Sequence, residues 1–289
     1  MYLARHETRN GSQWALDGEL LIPAFDLGLL LELPFEAYAA VLQAMGTGEP
    51  AEGPCLAPIE ALQEVWASGV TYLRSRDARQ AESETGDIYA RVYLAERPEL
   101  FMKAVGWRVR GPEDAIRVRP DSSWSVPEPE ITLVINCHQE IVGYCAGNDV
   151  SSRSIEGANP LYLPQAKVYA GSCALGPGIQ LAGPDEMRQL SVKLEIARGG
   201  EQIFSGETST AQMKRAFEEL VDYLYRELAF PEGVFLMTGT GIVPPDEFTL
   251  SVGDVARVTV GGLVLENEVG ELSAVSGQKL LEDGVRSRQ

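Results

Sequence analysis

The stretch from Val126 to Lys167 reads VPEPEITLVINCHQEIVGYCAGNDVSSRSIEGANPLYLPQAK, and the rest of the chain is best understood from it. Glu128 and Glu130 are two residues apart and lead into the strand-like run 131–135. Because successive side chains of a strand point to opposite faces, both glutamates project from the same face. Side by side they favour a cation, since one of them would otherwise be pushed to take up a proton. Asp149 follows the next strand-like run and adds a third carboxylate, so the three could bind one divalent cation such as Mg²⁺.

The Glu-x-Glu pair has a second interpretation, because such pairs are also typical of the solvent-exposed side of a half-buried strand. Pro127 and Pro129 both lack a backbone N–H group. Prolines within sheets are confined to edge strands and bulges. The sequence therefore predicts that the two glutamates lie on an edge strand or at a bulge, where a ligand can approach from outside.

The same stretch resembles the fumarylacetoacetate hydrolase family, whose metal site combines a Glu-x-Glu strand with an aspartate in a Gly-Tyr…Asn-Asp-Val-Ser-x-Arg segment. The resemblance implies Glu128, Glu130 and Asp149 as metal ligands and Lys167 as the active-site lysine. The segments NDVSSR and IEGANPLYLPQAK are most similar to the sugar-acid branch of the family, the 2-keto-3-deoxy-D-arabinonate dehydratases. The resemblance extends over residues 57–269, approximately, and is most specific between Pro127 and Lys167.

The function implied is Mg²⁺-dependent dehydration of a 2-keto-3-deoxy sugar acid, namely 2-keto-3-deoxy-D-arabinonate to 2,5-dioxopentanoate. A 2-oxo acid can chelate the ion, which stabilises the enolate formed when a C3 proton leaves. We expect Lys167 to act as the base near C3, because a partly desolvated lysine beside a cation has a lowered pKa. A Schiff base on Lys167 is a lower-ranked use of the same residue. Mn²⁺ or Ca²⁺ could substitute for Mg²⁺.

Residues Gly69 to Tyr72 match the family's Gly-x-x-Tyr, which leads into a lid over the site. Hydrolases of the family carry a histidine three residues after this tyrosine and a glutamate three residues further on, whereas this chain has Ser75 and Ala78. A histidine held by a carboxylate is the usual base for activating water, so its absence disfavours hydrolysis.

The charged run 74–84 is either a solvated loop or helix or this lid. As a lid, it would use Arg74 or Arg76 to bind substrate oxygens. Glu82 or Glu84 would supply the acid for the leaving hydroxide, and Glu84 is the candidate that we carry forward as catalytic.

The resemblance also implies roles for four residues outside the triad. Ser151 and Arg153 are candidates for substrate binding, with Arg153 first bracing the site. Thr240 lies in MTGTGIV, which is similar to the family's Thr-Gly-Thr turn facing the substrate carboxylate, although the family's proline after the threonine is absent. Lys103 ends a segment similar to the family's Pro-x-x-Phe-x-Lys and is expected to support the direct ligands from behind.

Composition excludes several classes of function. With 42 acidic and 24 basic residues among 289, the formal charge is −18, which opposes binding to nucleic acid and to anionic membranes. No apolar run approaches the ~20 residues of a membrane span, and the N-terminal residues lack the pattern of a signal peptide. The four cysteines show no Cys-x-x-Cys spacing. We expect a cytoplasmic protein whose partner is a small-molecule 2-oxo acid.

Short alternating runs separated by Gly/Pro turns predict a β-rich α+β fold, and 45% hydrophobic residues suffice for a sizeable core. The family implies a rolled mixed β-sandwich. Gly/Pro clusters at 46–50 and 53–54 predict a domain boundary near residue 56, with a small N-terminal α/β domain at 1–56 and a catalytic domain at 57–289. The family also implies a homo-oligomer, either a dimer or a tetramer.

Two alternative functions accompany this interpretation. Acylpyruvate hydrolysis and oxaloacetate decarboxylation belong to the same family and share the enolate step, but a different bond breaks. A non-catalytic protein that binds a metal or a ligand on the same fold is the alternative from another class.

Overall fold

A computed structural model describes residues 1–82 and 87–271 of the chain. The strands are β1 (Tyr2–Thr8), β2 (Gly11–Leu16), β3 (Glu19–Leu21), β4 (Gly46–Pro50), β5 (Cys55–Leu56), β6 (Glu64–Gly69), β7 (Glu99–Val105), β8 (Ser125–Val126), β9 (Pro129–Ile135), β10 (Ile141–Asp149), β11 (Ser151–Ser152), β12 (Cys173–Leu181), β13 (Ser191–Arg198), β14 (Glu201–Ser209), β15 (Val234–Met237), β16 (Val255–Val260) and β17 (Leu263–Glu268). The α-helices are α1 (Leu27–Leu31), α2 (Tyr38–Ala44), α3 (Leu73–Glu82), α4 (Asp87–Leu94), α5 (Arg153–Ala158), α6 (Leu163–Lys167) and α7 (Phe217–Tyr225). Single 3₁₀ turns lie at Phe35–Ala37, Gly106–Arg108, Pro160–Tyr162, Pro184–Met187 and Thr210–Gln212.

The main sheet is mixed and is built around the β9–β10 hairpin. Its strand order is β4-β3-β2-β1-β12-β10-β9-β15-β6-β7, and β5 pairs with β1. β15 and β6 run parallel, whereas β9 is antiparallel to both β10 and β15. Every residue of β9 and β10 is buried, as expected for strands rich in Ile, Val and Leu that are covered on both faces. The strand-rich α+β fold predicted from the sequence is confirmed.

Two apolar cores lie on the two faces of this sheet. Ile131, Leu133 and Ile135 of β9 pack in one core with the four-stranded sheet β14-β13-β16-β17 and with α7. Val134, which points to the opposite face, packs in the second core with Leu27 and other residues of α1 and α2. The period-two alternation of the strand thus distributes its side chains between the cores.

The N-terminal residues join the same main sheet, because β1 pairs with β12 through Tyr2 with Gln180 and Leu3 with Ile179. The turn between β9 and β10 also contacts the N-terminal residues, since the Asn136 side-chain amide donates to the Leu33 carbonyl at 3.0 Å. The division of the chain at residue 56 stays a prediction.

The glutamates were expected on an edge strand or at a bulge, but β9 is an interior strand and its irregular pairing with β10 lies at Ile141 and Gly143, away from them. β15 pairs with β9 only from Thr132 to Ile135. Pro127 and Pro129 therefore lie beyond the end of that ladder, where a missing N–H breaks no hydrogen bond to β15.

Two short helical stretches complete the fold near the site. Residues 159–167 form a 3₁₀ turn and then α6, with Pro164 in the first turn, where helices tolerate proline. Ser209 caps another 3₁₀ turn, and α7 begins at Phe217, after Met213, which forms a β-bridge with Tyr72.

Within residues 1–82 and 87–271, no helix is long and apolar enough to cross a membrane.

Candidate metal centre

Three carboxylates meet where β9 begins and β10 ends. Glu128, Glu130 and Asp149 each offer an oxygen atom within 4.8 Å of the other two. Antiparallel pairing creates this proximity, since Glu130 lies opposite Gly147 and the Asp149 N–H donates to the Glu128 carbonyl at 2.9 Å. The three residues are at most 4% exposed, which the interpretation as a solvated strand face does not allow. Buried carboxylates so close together require compensating positive charge.

Glu130 is the most enclosed of the three and is held by the backbone. One of its carboxylate oxygens, Oε2, accepts a hydrogen bond from the Gly239 N–H at 2.6 Å. Gly239 has a φ of +93°, a conformation that suits glycine and brings its amide close to the carboxylate. Burial raises the pKa of Glu130 well above its ordinary value, and the charges of Asp149 and Glu128 raise it further. A bound cation would reverse this effect by stabilising the ionised form.

Lys167 contacts two of the three carboxylates. Its Nζ lies 3.0 Å from Glu128 Oε2 and 2.9 Å from Asp149 Oδ2. The lysine is in the last turn of α6 and is 2% exposed, so it is not a surface residue. Its Nζ also lies 6.0 Å from the centre of the Phe101 ring.

Two more cations adjoin the triad from the protein interior. Lys103 Nζ lies 2.5 Å from Asp149 Oδ1, and Arg153 Nη2 lies 3.3 Å from Glu128 Oε1. Both side chains are almost fully buried. Lys103 thus contacts Asp149 from the protein interior, and Arg153 contacts Glu128.

Glu128 and Asp149 line a narrow cleft of about 20 Å³. The cleft is lined by Ser68, Gly69, Val70, Ser75, Glu99, Phe101, Glu128, Asp149, Glu156, Leu163, Lys167, Gly239 and Thr240. Val70 has a φ of +56°, which a β-branched residue rarely adopts, and such strain is typical of functional sites. Thr240 is in the lining, and its Oγ1 accepts a hydrogen bond from the Ile242 N–H at 3.2 Å.

The two arginines of the predicted lid, Arg74 and Arg76, do not line the cleft. Arg76 binds the neighbouring Asp77 and stacks over the Tyr93 ring, with 5.1 Å between its guanidinium carbon and the ring centre. Arg74 is exposed and, like Arg76, is not among the cleft-lining residues. Glu84, the proposed acid, lies outside the described residues, as does the side chain of Glu82. In the position of the hydrolase histidine, Ser75 donates its hydroxyl to the Tyr72 carbonyl at 2.9 Å.

Sequence reasoning missed two carboxylates, Glu99 and Glu156, that line the same cleft. Glu99 opens β7 and is spaced by two from Phe101, which also lines the cleft, so strand alternation was an available signal. Glu156 is buried on α5 and accepts a hydrogen bond from Ser151 Oγ at 2.7 Å. Ser151, predicted to bind substrate, therefore contacts a carboxylate that borders the cleft.

The donor set fits a hard divalent cation. Mg²⁺ prefers carboxylate oxygens and retains open positions for water or substrate oxygens. Cys145 and Cys173 lie in the second core rather than in the cleft, and His138 is exposed in the β9–β10 turn, so soft ligands are not part of this cluster of described residues.

Known proteins resemble this chain in sequence and in structure. The family described as fumarylacetoacetate (FAA) hydrolase C-terminal matches residues 64–270. A probable 2-keto-3-deoxyxylonate dehydratase of Haloferax volcanii is 48% identical over 216 residues, which cover 73% of each chain. A 2-dehydro-3-deoxy-D-arabinonate dehydratase of Saccharolobus solfataricus is 42% identical over 207 residues, or 69% of each chain. A solved structure of 2-keto-3-deoxy-D-arabinonate dehydratase complexed with magnesium and 2,5-dioxopentanoate has a TM-score of 0.78 and 34% identity, covering 93% of this chain and 99% of that one.

Proposed function

The chain belongs to the fumarylacetoacetate hydrolase family, and on that premise we propose that it is a Mg²⁺-dependent dehydratase of a 2-keto-3-deoxy sugar acid. The favoured reaction converts 2-keto-3-deoxy-D-arabinonate to 2,5-dioxopentanoate. The observation that carries the proposal is the buried triad of Glu128, Glu130 and Asp149 at the base of a cleft, in a chain similar to two dehydratases. Mn²⁺ and Ca²⁺ are proposed substitutes for Mg²⁺.

The three carboxylates would bind the ion through oxygen atoms. When bound, Mg²⁺ acts as a Lewis acid toward the 2-oxo group of the substrate and increases the acidity of the hydrogens on C3. The protein's own task is then to exclude water, to orient the substrate and to move two protons. One proton leaves C3, and the other is delivered to the hydroxyl group that departs from C4.

Lys167 is the proposed catalytic lysine. Its Nζ lies within 3.0 Å of Glu128 and Asp149, and in both contacts the ammonium group is the donor. If Lys167 keeps this donor role in the catalytic state, another group removes the C3 proton. Glu99 and Glu156 are the cleft carboxylates outside the triad among the described residues, and Glu99 is the less enclosed of the two. We therefore propose Glu99 as a second candidate for the base.

The remaining roles concern the substrate's own oxygens. Thr240 and the backbone of Gly239 line the cleft beside the triad and are proposed to face the substrate carboxylate. Ser151 and Arg153 act through the residues that they contact, Glu156 and Glu128. Arg74, Arg76 and Glu84 keep their proposed roles only if α3 and the residues after it close over the cleft. The proposed assembly is a homo-oligomer, and the proposed location is the cytoplasm.

A substrate panel tests the proposal. The purified protein is assayed against several 2-keto-3-deoxy sugar acids, acylpyruvates and oxaloacetate, each with Mg²⁺ and with EDTA. We expect dehydration of at least one sugar acid, lost with EDTA and restored by Mg²⁺. Acylpyruvates should react poorly, because Ser75 and Ala78 replace the histidine and glutamate of the hydrolases. Acylpyruvate hydrolysis at a comparable rate would reject the proposal, and Mg²⁺ binding without any turnover would favour the non-catalytic alternative.

A further inference from the structure

Strand β7 is irregular at Lys103. Val65 of β6 pairs with Ala104, and the next residue, Trp66, pairs with Met102, so Lys103 is the extra residue between two cross-strand pairs. Such an extra residue forms a β-bulge, a feature that redirects side chains and is common beside active sites. Lys103 and Ala104 are consequently both buried, although consecutive residues of a regular strand face opposite sides.

The bulge directs the Lys103 ammonium group into the metal centre, where three acceptors surround it. Its Nζ lies 2.5 Å from Asp149 Oδ1, 2.6 Å from the Lys167 carbonyl and 3.1 Å from the Val150 carbonyl. The two contacts with carbonyl groups are hydrogen bonds that fix the ammonium group, and the contact with Asp149 is an ion pair. The side chain is 0% exposed and does not line the cleft, so it acts on the substrate only through the residues that it binds.

Lys103 therefore determines which oxygen Asp149 can offer to an ion. Oδ1 is paired with the Lys103 ammonium group in the interior, whereas Oδ2 accepts a hydrogen bond at 2.9 Å from Lys167, which lines the cleft. An ion that enters from the cleft would take the place of Lys167 at Oδ2, while the fixed charge of Lys103 keeps the ion from Oδ1. A carboxylate that gives one oxygen suits the strict octahedral geometry of Mg²⁺, whereas Ca²⁺ accepts six to eight oxygens, often two from one carboxylate.

We infer that Lys103 is a positioning residue that limits Asp149 to one-oxygen binding and so favours Mg²⁺ over the larger Ca²⁺. The inference rests on the metal site of the proposed function. It goes beyond that function because it assigns ion preference to a side chain that is itself outside the ligand set.

Calorimetric titration of the metal-free protein with Mg²⁺ alone and with Ca²⁺ alone tests the inference without any activity measurement. Three proteins are compared: the wild type, Lys103→Met, and Val65→Ala as a control that opens a cavity beside β7 without touching the site. The quantity that decides is the ratio of the Ca²⁺ Kd to the Mg²⁺ Kd. Both ions carry two positive charges, so loss of the lysine charge changes the attraction of the site for each ion by a similar amount. This general electrostatic effect therefore cancels in the ratio of the two Kd values.

We expect the ratio to fall about tenfold in Lys103→Met, within the range usual for residues that support metal ligands, and to stay at the wild-type value in Val65→Ala. A Lys103→Met protein with the wild-type ratio overturns the inference while leaving the proposed function intact. If the wild type binds neither ion, the proposed metal site is wrong and the inference is rejected with it.

Loss of one partner from a buried ion pair is destabilising, so Lys103→Met is at risk of misfolding. Crystals of the wild type grown with Mg²⁺ and with Ca²⁺ provide the second test. The expected structure has one Asp149 oxygen on the ion and Lys103 Nζ still on the other oxygen. Both Asp149 oxygens on Mg²⁺, or Lys103 withdrawn from Asp149, overturns the inference.

Discussion

Asp149 pairs with two lysines, because its two oxygens face Lys103 and Lys167, while Glu128 and Glu130 lie beside it. Replacing it by asparagine keeps the shape and removes the charge. We expect Asp149→Asn to lower the affinity for Mg²⁺ at least tenfold or so, since loss of a mere supporting residue already costs 10–100-fold. Calorimetric titration with Mg²⁺ measures this loss, and the turnover rate should fall with it.

The matched control is Asp222→Asn, because Asp222 is an exposed aspartate of α7 that pairs with Arg226. That variant should bind Mg²⁺ like the wild type. Asp149 is not a ligand if its asparagine variant retains wild-type affinity.

Lys167 and Glu99 differ in the proton that each is proposed to move. Lys167→Met should reduce kcat by a factor on the order of 10² to 10⁴, the usual contribution of an acid or base. A 2-oxo acid without a C4 hydroxyl separates the two steps, because in D₂O it can exchange its C3 hydrogens but has nothing to eliminate. If Lys167 is only a donor, Lys167→Met should still catalyse this exchange and Glu99→Gln should not. NMR spectroscopy measures the exchange.

Lys193→Met is the control for the Lys167 variant, because Lys193 pairs with Glu195 on β13 of the four-stranded sheet. Exchange abolished by Lys167→Met and retained by Glu99→Gln would identify Lys167 as the base, as the sequence predicted. Trapping of a covalent adduct by borohydride would instead favour the Schiff-base mechanism.

At this scale the sequence predicted the triad and Lys167, because their spacing and the family resemblance lie within one continuous stretch. It did not predict that Glu99 lines the cleft. Glu99 belongs to β7, which lies near the site because β15 and β6 stand between it and β9 in the main sheet. The residues around Glu99 in the sequence do not indicate which strands will be its neighbours.

Among the elements, the β9–β10 hairpin holds the N-terminal residues through its turn. Glu140 accepts hydrogen bonds from the Asn136 amide at 2.6 Å and from the Phe35 N–H at 2.9 Å. These bonds, the Asn136 bond foremost, hold the pKa of Glu140 below its ordinary value. A carboxyl group with a lowered pKa stabilises the fold above its unfolded pKa, and the contribution is lost as the pH falls through the folded pKa.

We therefore expect Glu140→Gln to have a lower Tm than the wild type at neutral pH, and the difference to disappear as the pH falls below about 4, near the ordinary glutamate pKa. Thermal unfolding measured from pH 7 to pH 3 checks this. A Tm difference that is constant with pH would show that the charge of Glu140 plays no part.

Some elements follow from a local pattern. Gly199 and Gly200 stand between two strand-like runs and form the turn of the β13–β14 hairpin. α6 is harder to predict, because Pro160 and Pro164 suggest extended chain, whereas they occupy first-turn positions of the 3₁₀ turn and of α6, where a missing N–H is tolerated.

The whole molecule carries a formal charge of −18, and its proposed substrate is an anion. Long-range repulsion should therefore raise the KM at low ionic strength. Because salt shortens the Debye length from about 30 Å at 0.01 M to about 10 Å at 0.1 M, added salt should lower the KM while kcat stays constant. Steady-state kinetics at saturating Mg²⁺ measures this. A KM that rises with salt would show that Lys167, Arg153 and the bound ion outweigh the net charge.

The order of strands across the main sheet could not be read from the sequence. β15 lies between β9 and β6 although about 100 residues separate it from β9 and about 165 from β6. Hydrophobic patterns indicate which residues are buried but not which distant strand covers them. The fold class could be predicted because composition and turn spacing indicate it directly, whereas the strand order depends on which distant segments pair.

The contact between Gly239 and Glu130 joins residues 109 positions apart, so the ribosome synthesises the two residues at different times. At 5–20 residues per second, Glu130 is synthesised roughly 5–20 s before Gly239. During that interval the hairpin of β9 and β10 can pair, but the side of β9 that β15 later covers remains an open edge made of Thr132, Leu133, Val134 and Ile135. An uncovered apolar edge invites pairing with other chains. The nascent protein should therefore depend on chaperones in this interval.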